Sequence, residues 1–197
     1  MSPKSKHRRM QKDNANWMVV GLVLILVGIA LFLFWSGFRS LSNSTTTSDD
    51  GSAIPMAVDY PAPQLELQST DGTSESLADF RQNVLLVNNW ATWCPPCKAE
   101  MPTLEAYFDA HYAQNFTIVA IEAGDPQGTV SQFAQTLGLK FHVWVDPQNV
   151  SLAVFRNGNL PNSYVIDRTG TVRYAWTGAI NRTILEKCIT PLLMPGH

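Results

Sequence analysis

The chain has 197 residues, of which 45% are hydrophobic and 15% are charged, and its formal net charge is −2. This length is typical of one globular domain with additional segments rather than of two full domains. From residue 40 onward, eight Lys and Arg residues stand against fifteen Asp and Glu residues. Because such an acidic body lacks the basic surface that neutralises phosphates, the composition argues against nucleic-acid binding. Three cysteines are also too few for a disulfide-stapled scaffold.

A long apolar run lies near the N-terminus, and residues 17–38 contain no charged side chain. A helix of this length would measure about 33 Å, enough to cross a hydrocarbon core of about 30 Å. Trp17 and Trp35 lie near its ends, where aromatic rings favour the headgroup region. A cleaved signal peptide is the alternative, but the run is longer than a usual signal-peptide core and no small-residue cleavage pattern follows it. We therefore predict a retained transmembrane signal-anchor helix.

Basic residues are concentrated on one side of this run. Five Lys and Arg residues lie within residues 1–16, whereas only Arg39 follows the run closely. The positive-inside bias therefore predicts a single-pass membrane protein. Its residues 1–16 would be cytoplasmic, and the chain after the apolar run would lie outside the cytoplasm. The small polar residues of 39–57 predict a flexible linker, and residues 58–197 are left as the folded domain.

Strands and helices alternate along the predicted domain. Hydrophobic runs predict strands at 65–67, 84–89, 116–121, 141–145, 163–166 and 171–176. Helical spacing of apolar residues predicts helices at 77–80, after Cys97, at 130–137, at 150–155 and at 180–193. Asp71-Gly72 and the segment 167–170 have the composition of hairpin turns. This order predicts an α/β fold with a mixed sheet flanked by helices.

The segment Cys-Pro-Pro-Cys stands between a buried strand and a helix. Its two intervening residues let one helical turn bring the sulfurs of Cys94 and Cys97 together, so that a disulfide can form and open. At the start of the helix, Cys94 would be favoured as a thiolate by unpaired N–H groups and the helix dipole. Cys97, one turn further in, is suited to resolving a mixed disulfide. Pro95 and Pro96 fit the first turn because their missing N–H groups would have no partner there.

Three other uses of a Cys-x-x-Cys motif compete with a redox pair. A zinc site would need further ligands, but no second Cys-x-x-Cys is present and the histidines are scattered. Covalent haem attachment requires a histidine directly after the second cysteine, and Lys98 occupies that position. A static structural disulfide stays open, although closing so short a loop adds little stability. We predict a redox pair, with no metal and no other cofactor.

The segments WATWCPPC and NLPNSYVIDRTG together resemble the TlpA/ResA-like branch of the thioredoxin superfamily, which has a redoxin or AhpC/TSA-like domain. The resemblance covers about residues 58 to 193 and implies a thioredoxin-like fold. It also implies a bacterial, membrane-anchored, extracytoplasmic thiol–disulfide oxidoreductase. Its partners would be disulfide-containing exported proteins, such as apocytochrome c during cytochrome c maturation, and a membrane thiol reductase as electron donor.

The resemblance assigns roles to further residues. Pro161 matches the family's cis-proline, which lies beside the redox pair and holds the neighbouring backbone for a bound peptide. An ordinary trans turn proline is the alternative. Pro102 matches the proline that kinks the helix after the active site. Trp93 is expected to present an apolar surface to substrates, while Trp90 belongs either to the site or to the core.

Two glutamates and one asparagine complete the expected site. Glu100 matches a glutamate that influences thiol ionisation in the ResA-like group, with a solvated helix-face glutamate as the alternative. Glu122 ends a strand on the same side and is a weaker candidate. Asn88 stands where ordinary thioredoxins have a buried aspartate, as is common in this branch, and an amide cannot act as a general base. Cys188 is expected to be a small buried hydrophobic residue.

Two other functions compete with this interpretation. A peroxiredoxin-like thiol peroxidase would carry Pro at position 87 and Thr or Ser at position 91, but the chain has Val87 and Ala91. A Cu(I)-binding metallochaperone would use the two cysteines as soft thiolate ligands. Related copper carriers of this fold tend to have a longer cysteine spacing and a distant histidine.

Overall fold

The computed structural model describes residues 21–29 and 53–194. Residues 21–29 form a helical segment within a separate N-terminal unit, residues 1–49. The predicted basic segment 1–16, most of the predicted anchor 17–38 and most of the predicted linker 39–57 lie outside the described residues. In the part of the chain that is described, no helix is both long enough and apolar enough to cross a membrane.

One mixed sheet organises residues 53–194. Its strands are β1 (Met56–Pro61), β2 (Glu66–Ser69), β3 (Ser74–Ser76), β4 (Val84–Trp90), β5 (Phe116–Ala123), β6 (His142–Asp146), β7 (Asn162–Ile166) and β8 (Thr171–Thr177). They lie in the order β1-β8-β7-β4-β5-β6-β2-β3. β4, β5 and β6 are parallel, whereas the other pairings are antiparallel. The predicted mixed sheet is confirmed.

The helices cover both faces of this sheet. They are α1 (Pro95–His111), α2 (Gln127–Leu137), α3 (Val150–Val154), α4 (Arg182–Cys188) and α5 (Thr190–Leu193), with short 3₁₀ turns at Leu77–Phe80 and Tyr112–Gln114. α1 and α2 each connect neighbouring parallel strands that advance in one direction, so the right-handed crossover rule places both on the same face. α4 and α5 pack into the same core layer, which we call the α1 face. The opposite layer includes Leu77 and Phe155.

Two elements differ from the sequence prediction. The single closing helix predicted over 180–193 is wrong, because the chain forms α4 and α5 with a break at Ile189. Pro191 cannot donate a hydrogen bond to the carbonyl of Lys187, and its ring would clash with that group, so it lies instead in the first turn of a new helix. β1 was not predicted, since this edge strand is mostly exposed and shows no apolar alternation. It begins two residues before the expected domain start at 58.

Alternation along β4 decides which polar side chains reach the α1 face. Val84, Leu86 and Trp90 pack in the α1-face core together with both cysteines, whereas Leu85 and Val87 pack in the opposite core layer. Because successive side chains of a strand point to opposite faces, the side chain at position 88 projects toward α1. In β5, Phe116, Ile118 and Ala120 pack in the same core layer, so the side chain at position 122 also projects toward α1. The side chain at position 89 projects away from it. The sheet therefore brings a few buried polar groups to the end of β4, where α1 begins.

Candidate active site

Cys94 and Cys97 form a disulfide at the N-terminus of α1, with an S–S distance of 2.02 Å and a Cα–Cα distance of 5.3 Å. Cys94 is the N-cap residue, and its Sγ accepts a hydrogen bond from the backbone N–H of Cys97 at 3.3 Å. Cys94 is 4% exposed and Cys97 is fully buried. Pro95 and Pro96 form the first turn and are exposed. Of the two cysteines, only Cys94 therefore keeps any exposed surface.

The two tryptophans next to the disulfide have different environments. Trp90 is fully buried, and its ring packs against Phe133 with 5.1 Å between the centroids. Trp93 is 66% exposed directly before the first cysteine. The core therefore holds Trp90, while Trp93 is available to a docking partner. Pro102 lies inside α1, which continues to His111.

Strand pairing brings Pro161 to the same end of the sheet. The Leu160–Pro161 peptide bond is cis, and Pro161 is buried. β7 begins at the next residue, Asn162, which is paired with Asn89 near the end of β4. The carbonyl of Pro161 accepts a hydrogen bond from the N–H of Gly178 at 2.8 Å. The loop before Pro161 therefore lies beside the strand that leads into the redox pair.

Glu100 is a buried carboxyl group with a partner for each oxygen. Its Oε1 accepts from Asn88 Nδ2 at 2.8 Å, and its Oε2 accepts from the N–H of Ile180 at 2.8 Å. Asn88 Nδ2 also donates to Ser163 Oγ at 3.1 Å. Burial raises the pKa of Glu100 to about 7, and the two hydrogen bonds to its oxygens oppose part of that rise. The solvated alternative is therefore wrong, and this side chain changes charge near neutral pH.

Glu122 is a second buried carboxyl group close to the active-site segment. Its Oε1 accepts from the N–H of Thr92 at 3.3 Å, and its Oε2 accepts from the N–H of Asp125 at 2.9 Å. The hydroxyl of Thr92 donates to the Asp125 carboxylate. Burial is the main reason that the pKa of Glu122 is raised to about 7. Glu122 thus connects the residue two positions before Cys94 to the loop after β5.

Several polar contacts of the site were not predicted from sequence. Ser163 and the N–H of Ile180 contact the Asn88–Glu100 pair, and Asn89 Nδ2 donates to Asn162 Oδ1 at 2.8 Å. The available signal was a pair of asparagines inside an otherwise apolar strand. Their partners depend on strand pairing, which no local pattern specifies.

The surroundings of Cys188, Val87 and Ala91 bear on other possible functions of the chain. Cys188 is a buried free thiol, and burial raises its pKa. Val87 and Ala91 are fully buried apolar side chains at the two positions that a peroxiredoxin signature would fill with Pro and with Thr or Ser.

The known proteins that this chain resembles are mostly thiol–disulfide oxidoreductases and thioredoxin-like proteins. Residues 58–175 match the AhpC/TSA family. Thiol-disulfide oxidoreductase ResA from Geobacillus kaustophilus is 33% identical over 178 residues, which cover 90% of this chain and 96% of the relative. Thioredoxin-like protein YneN from Bacillus subtilis is 27% identical, covering 87% and 95%. The crystal structure of a thiol:disulfide interchange protein of the thioredoxin family from Chlorobium tepidum is similar with a TM-score of 0.63 and 26% identity, covering 71% and 99%.

Proposed function

The chain belongs to the AhpC/TSA family as a thioredoxin-like thiol–disulfide oxidoreductase related to ResA, and we propose that it reduces disulfides of exported proteins through Cys94 and Cys97. The observation that supports this role is the disulfide at the helix N-terminus, with an outer and an inner sulfur. A helix N-terminus stabilises the outer thiolate, which is the attacking species.

The reaction is a two-step exchange. In the reduced form, the Cys94 thiolate attacks one sulfur of a partner's disulfide, and the partner's other sulfur leaves as a thiolate that takes a proton. Cys97 then loses its proton and attacks the Cys94 sulfur, which releases the partner's second thiol and forms the intramolecular disulfide. The partner gains two electrons from the cysteine pair and two protons, one that leaves Cys97 and one from solvent, because Cys94 attacks as a thiolate. An electron donor, which we propose is a membrane thiol reductase, returns the chain to its dithiol form.

We propose that Glu100 accepts the proton of Cys97 and returns it during the reaction cycle. The two residues are three positions apart on α1, so their side chains share one face of the helix, and both are buried. A buried thiol cannot easily release its proton to water. A carboxyl group with a pKa of about 7 is populated in both protonation states near neutral pH and can take up or return a proton. Asn88 donates to this carboxyl group and holds it in place.

The proposed substrate and location follow from the resemblance to the TlpA/ResA-like branch. We propose that an N-terminal helix over residues 17–38 anchors the chain and that the folded domain acts outside the cytoplasm on apocytochrome c. In the described helical segment 21–29, the large apolar side chains are 49–66% exposed, as lipid-facing side chains would be. The short basic segment before residue 17 supports a cytoplasmic N-terminus.

Substrate trapping tests this proposal. In a Cys97→Ala variant, the mixed disulfide between Cys94 and its partner cannot be resolved, so partners accumulate as covalent complexes. We expect apocytochromes among the trapped proteins, identified by mass spectrometry after nonreducing electrophoresis, and none with the control Cys94→Ala/Cys97→Ala. Recovery of many unrelated exported proteins would contradict the maturation role. Fast cysteine-dependent peroxide consumption, or copper retained against a competing chelator, would favour the alternatives instead.

A further inference from the structure

Asn162, the residue after the cis-proline, is a buried hydrogen-bonding hub. Its Nδ2 donates to the carbonyl of Asn159 at 2.7 Å and to that of Asn157 at 3.3 Å. Because both of these partners can only accept, the amide orientation is determined, and Oδ1 must be the atom that faces Asn89. Asn89 Nδ2 donates to this oxygen at 2.8 Å. Asn89 and Asn162 are both fully buried.

Further hydrogen bonds hold the same loop from its other end. Asn157 Nδ2 donates to Thr177 Oγ1 at 2.9 Å, and Asn157 Oδ1 accepts from the N–H of Asn159 at 3.1 Å. The chain leaves α3 through Arg156, whose φ is +53°, and the N–H of Asn157 closes that turn on the carbonyl of Leu152 at 3.0 Å. This is the geometry of a Schellman helix end, which normally prefers glycine. The conformation of residues 157–160 is therefore specified mainly by asparagine side chains.

Leu160 differs from its neighbours in this loop. It is half-buried, and within residues 53–194 neither its N–H nor its carbonyl makes a hydrogen bond. It stands directly before Pro161 at the end of the sheet where Cys94 lies. An extended polypeptide can satisfy both groups by pairing with them as a short strand would.

We propose that Asn89 and Asn162 are positioning residues that fix the backbone of Leu160 relative to β4, so that a bound polypeptide presents its disulfide to Cys94. The proposal rests on the proposed function, because it concerns polypeptide disulfides as substrates. Asn89 lies five residues before Cys94, on the strand that leads into it. The hydrogen bond between Asn89 and Asn162 therefore links the backbone at Leu160 to the segment that carries Cys94. A buried amide that loses its partner is costly, and so the pair specifies one loop position rather than several.

The test compares a disulfide within a peptide backbone with a disulfide that has no backbone. The full-length chain in detergent is reduced with dithiothreitol, which is then removed because it would reduce both disulfides directly. The dithiol form is mixed with a synthetic peptide that carries one Cys-x-x-Cys disulfide or with dithiobis-nitrobenzoate, which has no peptide backbone. The dependence of the oxidation rate of the chain on peptide concentration gives KM and kcat for this half-reaction. We expect Asn162→Ala and Asn89→Ala to raise KM for the peptide about tenfold with kcat changed less than about twofold. The rate with dithiobis-nitrobenzoate should change less than about twofold, because Cys94 itself is untouched.

Controls separate this role from general destabilisation. Asn83→Ala removes an asparagine at the opposite end of β4 and should leave both substrates unaffected. The half-exposed Asn157→Ala removes only the outer part of the network, and it should raise the peptide KM even if the two buried variants fold poorly. The double variant Asn89→Ala/Asn162→Ala should be no worse than either single variant. An unchanged peptide KM in folded variants, or equal losses with both disulfides, would overturn the proposal. Failure of the wild-type chain to reduce either disulfide would refute the proposed function instead.

Discussion

The carboxyl group of Glu100 has a charge state that depends on folding. Its ordinary pKa is 4.5, and burial raises the pKa in the folded chain to about 7. At a pH below the ordinary pKa, the carboxyl group is protonated in both the folded and the unfolded chain. Between the two values, the unfolded chain has released a proton that the folded chain keeps, so the free energy of unfolding falls as pH rises through this window. Glu122, whose pKa is also raised to about 7, contributes in the same direction.

A Glu100→Gln variant tests this charge effect. The amide stays neutral, and it can donate to Asn88 Oδ1 once the Asn88 amide turns over, because this oxygen accepts no hydrogen bond within the described chain. We expect the variant to lose part of the fall in stability between about pH 5 and about pH 8, on the order of 3 kcal/mol at most. Urea unfolding of the oxidised proteins at both pH values measures this difference. The exposed Glu186→Gln is the matched control, and identical pH dependence in wild type and Glu100→Gln would show that Glu100 does not titrate in this window.

At the scale of single elements, Arg168 connects the β7–β8 turn to the last helix. Its guanidinium donates to the carbonyl of Leu192 at 2.5 Å and to that of Leu193 at 3.2 Å. Carbonyls at a helix C-terminus have no partner inside the helix, so this fork satisfies two of them. Because Pro191 separates α5 from α4, the short helix cannot rely on continuity with its neighbour. Arg168 therefore holds the C-terminal turn against the sheet.

We expect Arg168→Ala to lower the free energy of unfolding by about 1–3 kcal/mol, because two hydrogen bonds to a charged group are lost. The matched control is Arg182→Ala, which breaks an exposed ion pair with Glu186 and should cost less than about 1 kcal/mol. Thermal unfolding of both variants measures the difference. Equal melting temperatures for the two variants would mean that the fork adds nothing to the docking of α5.

The sequence predicts those parts of this fold whose signal is local. A continuous apolar run predicts strand β4. Residues typical of helix ends predict the start of α1 and the end of α2 at Gly138. The helix break before Pro191 could have been predicted from the sequence, because a proline cannot continue the hydrogen bonding of a helix interior. β1 gave no signal because an exposed edge strand buries too little apolar surface to need alternation.

Some residues of the candidate site are likewise identified by local sequence patterns, and others are not. The cysteine pair lies within one continuous segment, and Pro161 was identified through the resemblance of a second segment. The environment of Glu122 and the pairing of Asn89 with Asn162 depend on the register between strands that are distant in sequence. Hydrophobic patterning can assign an amide to one face of a strand, but it cannot identify the amide that lies opposite.

At the scale of the whole molecule, the proposed topology has a consequence for the redox pair. If residues 17–38 span the membrane with the N-terminus inside, Cys94 and Cys97 face the exterior of the cell. Reduced Cys94 should then react with a maleimide that cannot cross membranes when it is added to intact cells. Cys188 is also buried, so the Cys94→Ala/Cys97→Ala variant, which keeps only this cysteine, is needed to assign the labelling to the redox pair.

We expect labelling of intact cells after mild reduction to modify the wild-type chain and to leave a Cys94→Ala/Cys97→Ala variant unmodified, as read by a mass shift on gel electrophoresis. A second variant in which Lys4, Lys6, Arg8, Arg9 and Lys12 are replaced by Gln weakens the charge asymmetry that sets the orientation. Part of that population should invert and become protected until the cells are lysed. If the wild-type chain reacts only after lysis, the domain lies inside the cell, where apocytochrome c awaiting haem outside could not reach Cys94.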